Sequence, residues 1–253
     1  MGGLTVSTLG IWIPTWNRAQ HFQQLIASLE PQHHNVTVMA GLNPPCDDYI
    51  IPEWCQPVYN ETNIGQARNI LQGITALDTD YLWMIGDDDE LQPGAIEEIE
   101  EHLTLKPGMI ICTDGKFDHG PTGYFETWPD WMDACLAQGR EVMLTAQTFM
   151  TSTVFRRSGV DIEAATAEID SRYGHHFGIL KGLMWEPVTV TRKPVFIAGS
   201  AQNSSIYQES AEYLDSHGNI TSDALRRLIA FASELSGREY PPTSYISGVG
   251  FDT

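Results

Sequence analysis

Residues 81–90 read YLWMIGDDDE, an apolar run that ends at a cluster of carboxylates. A buried strand is predicted over 81–85, and one glycine separates it from four consecutive acidic residues at 87–90. Adjacent carboxylates repel one another and disfavour ionisation of their neighbours, so such a run calls for a cation or backbone donors nearby. Carboxylate oxygens suit Mg²⁺ and Mn²⁺, which complete their coordination with water and substrate phosphates. The run therefore predicts a metal–diphosphate site at the carboxyl end of a strand.

The same carboxylates have a second interpretation as a helix cap. Pro93 suits the first turn of a helix predicted to reach about Leu105, and residues 89–92 would cap it. Glu97 and Glu98 would favour the positive end of that helix dipole. A cap accounts for one or two of the carboxylates but not for three consecutive aspartates. On the cluster alone both interpretations stay open.

Outward from this stretch, strand and helix signals alternate through the first half of the chain. Strands are predicted at 9–13, 36–42, 57–59, 81–85 and 109–113, with helices at 19–29, 64–77 and 93–105. Such alternation predicts βαβ units and a mostly parallel α/β sheet flanked by helices. Ligands of these sheets bind beyond the carboxyl ends of the strands. Pro14 to Arg18, Asn43 and the aspartates all follow predicted strands, so they should lie at one edge.

The second half of the chain is less regular. A loop rich in Gly, Pro and aromatic residues is predicted over 116–131, and its aromatic side chains either pack in the core or line a binding cleft. Further elements are predicted as a strand at 151–155, helical structure at 161–184, strands at 188–191 and 195–198, and a final helix at 223–235. No linker or internal repeat divides the chain. It is predicted to be one domain with two halves, at 1–115 and 116–253.

Composition narrows the class of protein. The formal net charge is −19 and the 253 residues include four lysines, which argues against a protein that grips extended nucleic acid or an anionic membrane. A local basic groove near Arg156 and Arg157 would be an exception to this average charge. No segment approaches the roughly 20 apolar residues of a transmembrane helix, and the N-terminus lacks the pattern of a signal peptide. The four cysteines have no zinc-site spacing. A cytoplasmic location is expected.

Two further motifs indicate where a ligand binds. The segment IPTWNR, residues 13–18, places Pro, Thr and Asn at a strand-to-helix turn, where exposed backbone groups can contact a base. The segment NIGQARN, residues 63–69, opens a helix with Gly65 near its start. The exposed N–H groups of that helix terminus and the guanidinium of Arg68 favour an anion.

In this order, PTWNR, NIGQARN and a strand followed by DDDEL resemble family 2 glycosyltransferases of the GT-A (Rossmann-like) fold, over about residues 9 to 115. The resemblance implies inverting transfer of a sugar from a nucleotide diphosphate-sugar, usually a UDP-sugar, with Mn²⁺ or Mg²⁺ at a DXD motif. It also implies that residues 1–115 form the nucleotide-sugar-binding half and residues 116–253 a less regular acceptor-side half. The implied acceptor is a saccharide or another compound with a hydroxyl group, and a modified nucleobase stays open. The residues implied to line the donor site are Pro14, Thr15, Asn17, Arg18, Asn63, Gly65, Arg68, Asn69, Asp87, Asp88 and Asp89.

The chain departs from the family pattern at the end of its second strand and within the metal motif. Many members end the second strand with an acidic residue that holds the base or ribose, and Asn43 stands there instead. Counting back from the Pro-Gly pair puts Gly86 at the first position of the DXD motif and makes Asp88 the metal ligand. Reading the motif as Asp87-x-Asp89 makes Asp89 the ligand. Both registers stay open.

The catalytic base departs from the pattern as well. An inverting transfer needs a group that takes the proton of the acceptor hydroxyl. The family usually supplies it from an acidic pair, and this chain has His175 and His176 at the corresponding place. The candidates for the base are His175, His176 and Asp170. Either histidine could instead supply an extra metal ligand or pack at the start of a helix, and His217 is a more distant candidate for closing over the diphosphate.

Two alternatives to a glycosyltransferase remain at this point. A nucleotidyltransferase shares the nucleotide-binding half and the metal, but it usually carries a Gly-rich, Arg-containing loop where PTWNR stands. A binding module of the same fold, without turnover, is favoured by the missing acidic pair.

Overall fold

The computed structural model describes residues 7–114, 120–138, 150–171, 173–199 and 223–240. Within them, eight strands form one sheet: β1 Leu9–Trp16, β2 Val36–Asn43, β3 Cys55–Tyr59, β4 Tyr81–Met84, β6 Met109–Ile111, β7 Gly123–Phe125, β8 Thr153–Arg156 and β9 Val188–Val190. Two short strands, β5 Glu90–Leu91 and β10 Phe196–Ile197, pair as an antiparallel ribbon. The helices are α1 Ala19–Leu29, α2 Gln66–Ala76, α3 Ala95–Leu103, α4 Trp128–Ala137, α5 Ile162–Ala167, α6 Gly174–Leu183 and α7 Asp223–Ser236.

The order of the strands across the sheet is β3-β2-β1-β4-β8-β6-β9-β7. Neighbouring strands are parallel except where β8 runs between β4 and β6 and where β7 pairs with β9. The predicted mostly parallel α/β sheet is therefore confirmed. Since β8 is antiparallel, its first residues lie at the edge where β4 and β6 end. That edge collects the carboxyl ends of β1 to β4 and the start of β8.

Helices cover both faces of the sheet, as alternation along β1 requires. Ile11 and Ile13 face a core shared with α1 and α3, whereas Trp12 faces a core shared with α2, α4, α6 and α7. The Trp12 ring lies so close to α2 that a Cβ atom on Gly73 would be 2.3 Å from it. This close approach holds α2 against the sheet.

Several boundaries in the first half differ from the prediction, and the differences in β1 and α2 have a structural cause. β1 continues through Pro14 to Trp16, because the pairing of β1 with β4 ends at Trp12 and the proline costs no hydrogen bond on that side. α2 begins at Gln66 rather than at 64. Its buried face holds Asn69, Ile70, Gly73 and Ile74, and the small Gly73 admits the Trp12 ring.

The predicted loop over 116–131 is wrong where the structure describes it. It contains β7 and the first turn of α4, whose N-terminus is capped by the Thr127 hydroxyl accepting the Asp130 N–H. Trp128 and Trp131 are buried in the core, so the interpretation of these two residues as a cleft wall is also wrong. The helical stretch predicted over 161–184 is divided between α5 and α6.

Across the described parts of the chain, no helix combines the length and the apolar character that a membrane crossing requires. The cytoplasmic location expected from the sequence stays a prediction.

Candidate active site

The carboxyl edge of the sheet brings the predicted polar clusters together. The hydroxyl of Thr15 at the end of β1 donates to Asp87 Oδ2 at 2.6 Å, beyond the end of β4. Asn43 at the end of β2 accepts the backbone N–H of Ile64, just before α2, at 3.3 Å. The predicted meeting of these clusters at one edge is confirmed by the contacts.

The turn from β1 into α1 places four of the predicted donor-site residues. Pro14 and Thr15 are buried in the last part of β1. Asn17 is exposed and has φ 53°, a left-handed conformation that Asn tolerates better than most residues. Arg18 follows as the N-cap of α1, and its guanidinium turns back towards the aspartates. The positive φ at Asn17 is what allows the chain to reverse within two residues.

Asp87 is buried and both of its oxygens are engaged. Oδ2 accepts the Thr15 hydroxyl at 2.6 Å, and Oδ1 accepts Arg18 Nη1 at 3.0 Å. Burial raises the pKa of Asp87 to about 6, although the positive charge of Arg18 and the Thr15 hydrogen bond both act to lower it. Asp87 therefore links β1 and the start of α1 to the end of β4.

Asp89 is held by a different set of donors. Oδ2 accepts the hydroxyl of Thr151, which in turn accepts the Gly86 N–H at 2.9 Å, and Oδ1 accepts the Gly199 N–H at 2.8 Å. Burial, together with the negative charge of Asp88, raises the pKa of Asp89 to about 7. A Cβ atom on Gly199 would lie 1.9 Å from the backbone oxygen of Asp88, so only glycine fits there. Asp89 does not cap α3, whose N-cap is Gly94, and the cap interpretation is wrong for it.

Asp88 lies between these two anchored carboxylates and differs from both. Its side chain is 17% exposed, compared with 6% for Asp87, and its Oδ1 is 3.4 Å from Arg18 Nη1. Arg18 thus places one guanidinium nitrogen between two carboxylates. Asp88 and Asp89 are both partly exposed, but both oxygens of Asp89 already accept hydrogen bonds, so Asp88 offers the carboxylate better able to bind a further ligand.

The carboxylates of this edge suit one kind of divalent-metal site. Within the described ranges, no group of three or more His, Cys, Asp or Glu side chains is placed to hold a metal ion by itself. Mg²⁺ and Mn²⁺ nevertheless bind in many phosphate-transfer sites through one or two carboxylates, with water and phosphate oxygens as the other ligands. The hard, partly exposed carboxylate of Asp88 beside the anchored Asp89 fits that second arrangement.

A second polar group lies at the start of α2. Asn43 Oδ1 also accepts Asn60 Nδ2 at 3.0 Å, and Asn63 Oδ1 accepts the Gly65 N–H at 2.9 Å. Gly65 has φ 80° and precedes the first residue of α2, so the chain turns there into the helix. Asn63 and Gly65 are exposed beside the positive end of the α2 dipole, which suits an anion.

Arg68 and Asn69, both in the first turn of α2, have different surroundings. Arg68 is exposed, and its Nη2 lies 3.2 Å from Asp170 Oδ1. Asn69 is buried: its amide donates to Gly41 O at 2.8 Å and its oxygen accepts Trp12 Nε1 at 3.2 Å. The side chain of Asn69 thus fastens α2 to β1 and β2, and its assignment to the donor site stays a prediction.

The candidate catalytic bases lie around the start of α6. α6 ends at Leu183, which packs against Gly159 beyond β8, so its start points towards the carboxyl edge. His175 and His176 are buried there with ring centroids 4.1 Å apart. Neither ring nitrogen of His175 has a hydrogen-bond partner among the described residues. Burial, followed by repulsion from His176, holds the pKa of His175 well below its usual range.

The 3.2 Å ion pair with Arg68 places Asp170 beside the first turn of α2. Its side chain is 89% exposed. His217 lies outside the described residues.

Four residues of this edge were missed by the sequence analysis: Tyr49, Thr151, Gly199 and Trp16. Trp16 is the central residue of the PTWNR motif and is 38% exposed. Its indole N–H donates to Pro44 O at 3.0 Å. Its place within the motif was the available signal. Tyr49, Thr151 and Gly199 contact the motif residues from distant parts of the chain, and no local pattern indicates such contacts.

Solved structures with a similar fold are glycosyltransferases. Residues 1–349 of S. aureus TarS superpose with a TM-score of 0.57 at 12% identity, covering 90% of this chain and 70% of that one. Glucosyl-3-phosphoglycerate synthase from Mycobacterium tuberculosis, in complex with Mn²⁺, UDP and phosphoglyceric acid, gives 0.55 at 14% identity, covering 92% and 79%. A mannosyltransferase from Pyrobaculum calidifontis, in complex with GDP-Man and Mn²⁺, gives 0.55 at 10% identity, covering 94% and 67%. The fold is the GT-A fold of glycosyltransferases.

Sequence comparison gives the family. The abequosyltransferase RfbV of Salmonella typhimurium is 25% identical over 112 residues, which cover 40% of this chain and 34% of the relative, so the match spans about a third of that protein. The family described as Glycosyl transferase family 2 matches residues 11–160. This is more than half of the chain, and the chain belongs to that family. The motifs predicted this family, and membership in it argues against the nucleotidyltransferase alternative.

Proposed function

We propose that this glycosyltransferase moves a sugar from a nucleoside diphosphate-sugar, with a UDP-sugar as the favoured donor, to an acceptor hydroxyl. The transfer inverts the anomeric centre and depends on Mn²⁺ or Mg²⁺. Support comes from the family match and from relatives of the same fold whose structures hold UDP or GDP-Man with Mn²⁺.

The observation that carries the proposal is the carboxylate of Asp88, held open between two anchored aspartates at the carboxyl edge. Asp87 and Asp89 are each engaged at both oxygens, which leaves Asp88 as the residue to hold the metal, with Asp89 beside it. A divalent cation bound there would neutralise charge on the diphosphate leaving group. The register that makes Asp88 the ligand is thereby favoured over Asp87-x-Asp89.

The chain's own residues then bind and orient the donor. Arg18 sets the position of Asp88 relative to Asp87 through its two contacts at 3.0 and 3.4 Å. N–H groups at the start of α2 can hydrogen-bond to the anionic nucleotide-sugar. They belong to the exposed turn at Asn63 and Gly65 and to the guanidinium of Arg68. Asn43 stands where the family has an acidic residue. Its amide oxygen accepts hydrogen bonds from Asn60 and Ile64 and so stabilises the turn before α2.

In the proposed step the acceptor oxygen forms a bond to the anomeric carbon while the bond from that carbon to the diphosphate oxygen breaks. The acceptor proton passes to His175, His176 or Asp170, and the nucleoside diphosphate leaves. The lowered pKa of His175 keeps its imidazole neutral near pH 7, the form in which a ring nitrogen can accept a proton.

A direct test of the metal assignment compares Asp88→Asn with the wild type. Binding of UDP and GDP is measured by isothermal titration calorimetry with and without MnCl₂. We expect the substitution to remove the Mn²⁺-dependent part of nucleotide binding, at least tenfold in Kd, because it deletes the charge that holds the metal. The matched control is Asp78→Asn, an exposed carboxylate paired with Arg157. Wild-type Mn²⁺ dependence in Asp88→Asn would show that the metal assignment is wrong.

The base is tested through the two histidines. If an imidazole takes the acceptor proton, changing both His175 and His176 to Ala should lower the rate of nucleoside diphosphate release roughly 10²–10⁴-fold. His34→Ala, an exposed histidine before β2, is the control. The pH–rate profile should lose its imidazole limb in the double variant, and an unchanged profile would exclude that role. A loss confined to Asp170→Asn would assign the base to the carboxylate.

A non-catalytic nucleotide- or glycan-binding module is the second candidate. The replacement of the family's acidic pair by two buried histidines favours it, because the environment that keeps His175 neutral also opposes its protonation. Mn²⁺-dependent UDP affinity without any turnover of UDP-sugars would support this alternative.

A further inference from the structure

The loop between β2 and β3 sends one aromatic side chain into the candidate site from outside the predicted motifs. The hydroxyl of Tyr49 lies 2.9 Å from Thr15 Oγ1 and accepts the backbone N–H of Arg18 at 2.8 Å. The ring packs edge-on against Phe22 of α1, with centroids 5.3 Å apart. A residue more than thirty positions along the chain therefore touches both members of the β1–α1 turn that contact Asp87.

The direction of each hydrogen bond in this group follows from the number of protons. Thr15 has one hydroxyl proton, and it is donated to Asp87 Oδ2. In the contact between the two hydroxyls, Tyr49 must then be the donor and Thr15 the acceptor. Tyr49 in turn accepts from the Arg18 N–H, which has no other role than donor. Burial raises the pKa of the Tyr49 phenol, so it keeps the proton that this arrangement needs.

These bonds form a closed ring. It runs from the Arg18 N–H to Tyr49, from Tyr49 to Thr15 and from Thr15 to Asp87, and Arg18 Nη1 closes it on Asp87 Oδ1 at 3.0 Å. Hydrogen bonds connected in this way polarise and strengthen one another. The ring fixes both the backbone and the guanidinium of Arg18.

The same guanidinium nitrogen lies 3.4 Å from Asp88 Oδ1. A small displacement of Arg18 changes how much of its charge each carboxylate receives, and therefore how strongly Asp88 attracts another cation. The Tyr49 hydroxyl is thus connected to Asp88 through a single residue.

We propose that Tyr49 is a positioning residue of the donor site, whose hydroxyl holds Thr15 and Arg18 so that Asp88 is correctly placed for the metal–diphosphate group. The inference rests on the proposed function and assigns a role to a loop that lies outside the family motifs. The aromatic ring contributes packing on Phe22, whereas the hydroxyl contributes the positioning.

The experiment compares Tyr49→Phe and Tyr49→Leu with the wild type. Tyr49→Phe keeps the ring on Phe22 and removes only the oxygen, so a packing role predicts wild-type behaviour for Phe and a defect for Leu alone. A positioning role predicts that the Kd for UDP or GDP in the presence of MnCl₂ rises about tenfold in both variants, the effect of losing one well-placed hydrogen bond. Calorimetric Kd and the MnCl₂ concentration needed for half-maximal binding are the readouts.

Tyr81→Phe is the matched control. The Tyr81 hydroxyl is buried and donates to Pro107 O at 2.7 Å, at the start of β4 and far from the aspartates. Its loss should lower thermal stability as much as the loss of the Tyr49 hydroxyl while leaving both binding readouts unchanged. If the Tyr49 hydroxyl contributed only to stability, Tyr49→Phe and Tyr81→Phe would both lower the melting temperature, and neither would change Kd.

The outcomes separate the two proposals. Wild-type protein without Mn²⁺-dependent binding of UDP or GDP would overturn the proposed function, and the Tyr49 role with it. Mn²⁺-dependent binding by the wild type, with an unchanged Kd in Tyr49→Phe, would overturn the Tyr49 role alone. A raised Kd in Tyr49→Phe and not in Tyr81→Phe supports the inference.

Discussion

Three consecutive aspartates occupy three different environments. Asp87 is bound by Thr15 and Arg18, Asp89 by Thr151 and Gly199, and Asp88 stays partly exposed between them. Like charges this close are tolerated because four donors, from three parts of the chain, bind the carboxylates of Asp87 and Asp89. The sequence could predict the acidic site, but it left the register open, because the choice depends on partners far away in the chain.

The unusual pKa of Asp89 makes the first prediction, on stability. Its pKa is about 7 in the folded protein and near 3.8 in an unfolded chain, so the folded state binds the proton more tightly. The stabilisation is therefore fully present below about pH 4 and is lost as the pH rises through 7. In Asp89→Asn this titration is absent, and the free energy of unfolding of the wild type relative to the variant should fall by roughly 2 to 4 kcal/mol between pH 4 and 8.

Chemical denaturation with EDTA present, repeated at each pH, measures this difference. Asp48→Asn, which removes an exposed carboxylate, should keep the pH profile of the wild type. A difference between wild type and Asp89→Asn that stays constant from pH 4 to 8 would contradict the prediction.

At the scale of elements, α3 is fastened to the segment that leads into β10. Glu98 Oε1 accepts the Arg192 N–H at 3.1 Å, and Glu98 Oε2 lies 3.4 Å from Lys193 Nζ. The same segment continues through β10, which pairs with β5, to Gly199, the donor to Asp89. Glu98 thus supports the acidic site from a distance by holding the chain that reaches it.

Glu98→Gln is expected to destabilise the protein. Burial acts to raise the pKa of Glu98, but the Arg192 N–H and Lys193 outweigh it and the pKa is lowered. For a carboxylate with a lowered pKa, the stabilisation is present above the unfolded value and is lost as the pH falls. The variant should lose about 1 to 3 kcal/mol at pH 7 and approach the wild type below pH 4.

Glu97→Gln provides the control for this helix. Glu97 is adjacent in sequence but exposed, so its substitution should change stability little at either pH. Equal effects of the two substitutions in thermal unfolding would show that the Glu98 contacts contribute nothing specific.

Element prediction succeeded where one periodic face decides the structure. α1 has the predicted bounds Ala19–Leu29, because its buried apolar side chains recur at helical spacing. α4 was missed because its first turn is rich in Trp and Pro, and only Asp130 and Asp133 mark its polar face in the sequence. The position of β8 between β4 and β6 was also inaccessible, since strand pairing over such separations is decided by the whole sheet. The contact of Tyr49 with the β1–α1 turn is of the same kind.

On the scale of the whole molecule, charge opposes the proposed function. The formal net charge of −19 repels an anionic nucleotide-sugar, so binding depends on local cations. Arg18 and Arg68 supply two of them at the carboxyl edge, and the proposed metal supplies the third. The acidic composition therefore makes the proposed metal more necessary for binding an anionic ligand.

The predicted halves at 1–115 and 116–253 share one sheet, which leads to the last prediction. β8, from the second half, lies between β4 and β6 of the first, and the core around Trp12 includes Trp128 of α4 and Leu228 of α7. A fragment of residues 1–115 would lose both neighbours of β6 and expose that core. We expect it to show no cooperative thermal transition by circular dichroism and to be degraded rapidly by protease, whereas the full chain unfolds cooperatively. Mixing it with a fragment of residues 116–253 should restore the transition, because the missing strands return to their places. A cooperative transition of residues 1–115 alone would show instead that the nucleotide-binding half is a domain in its own right.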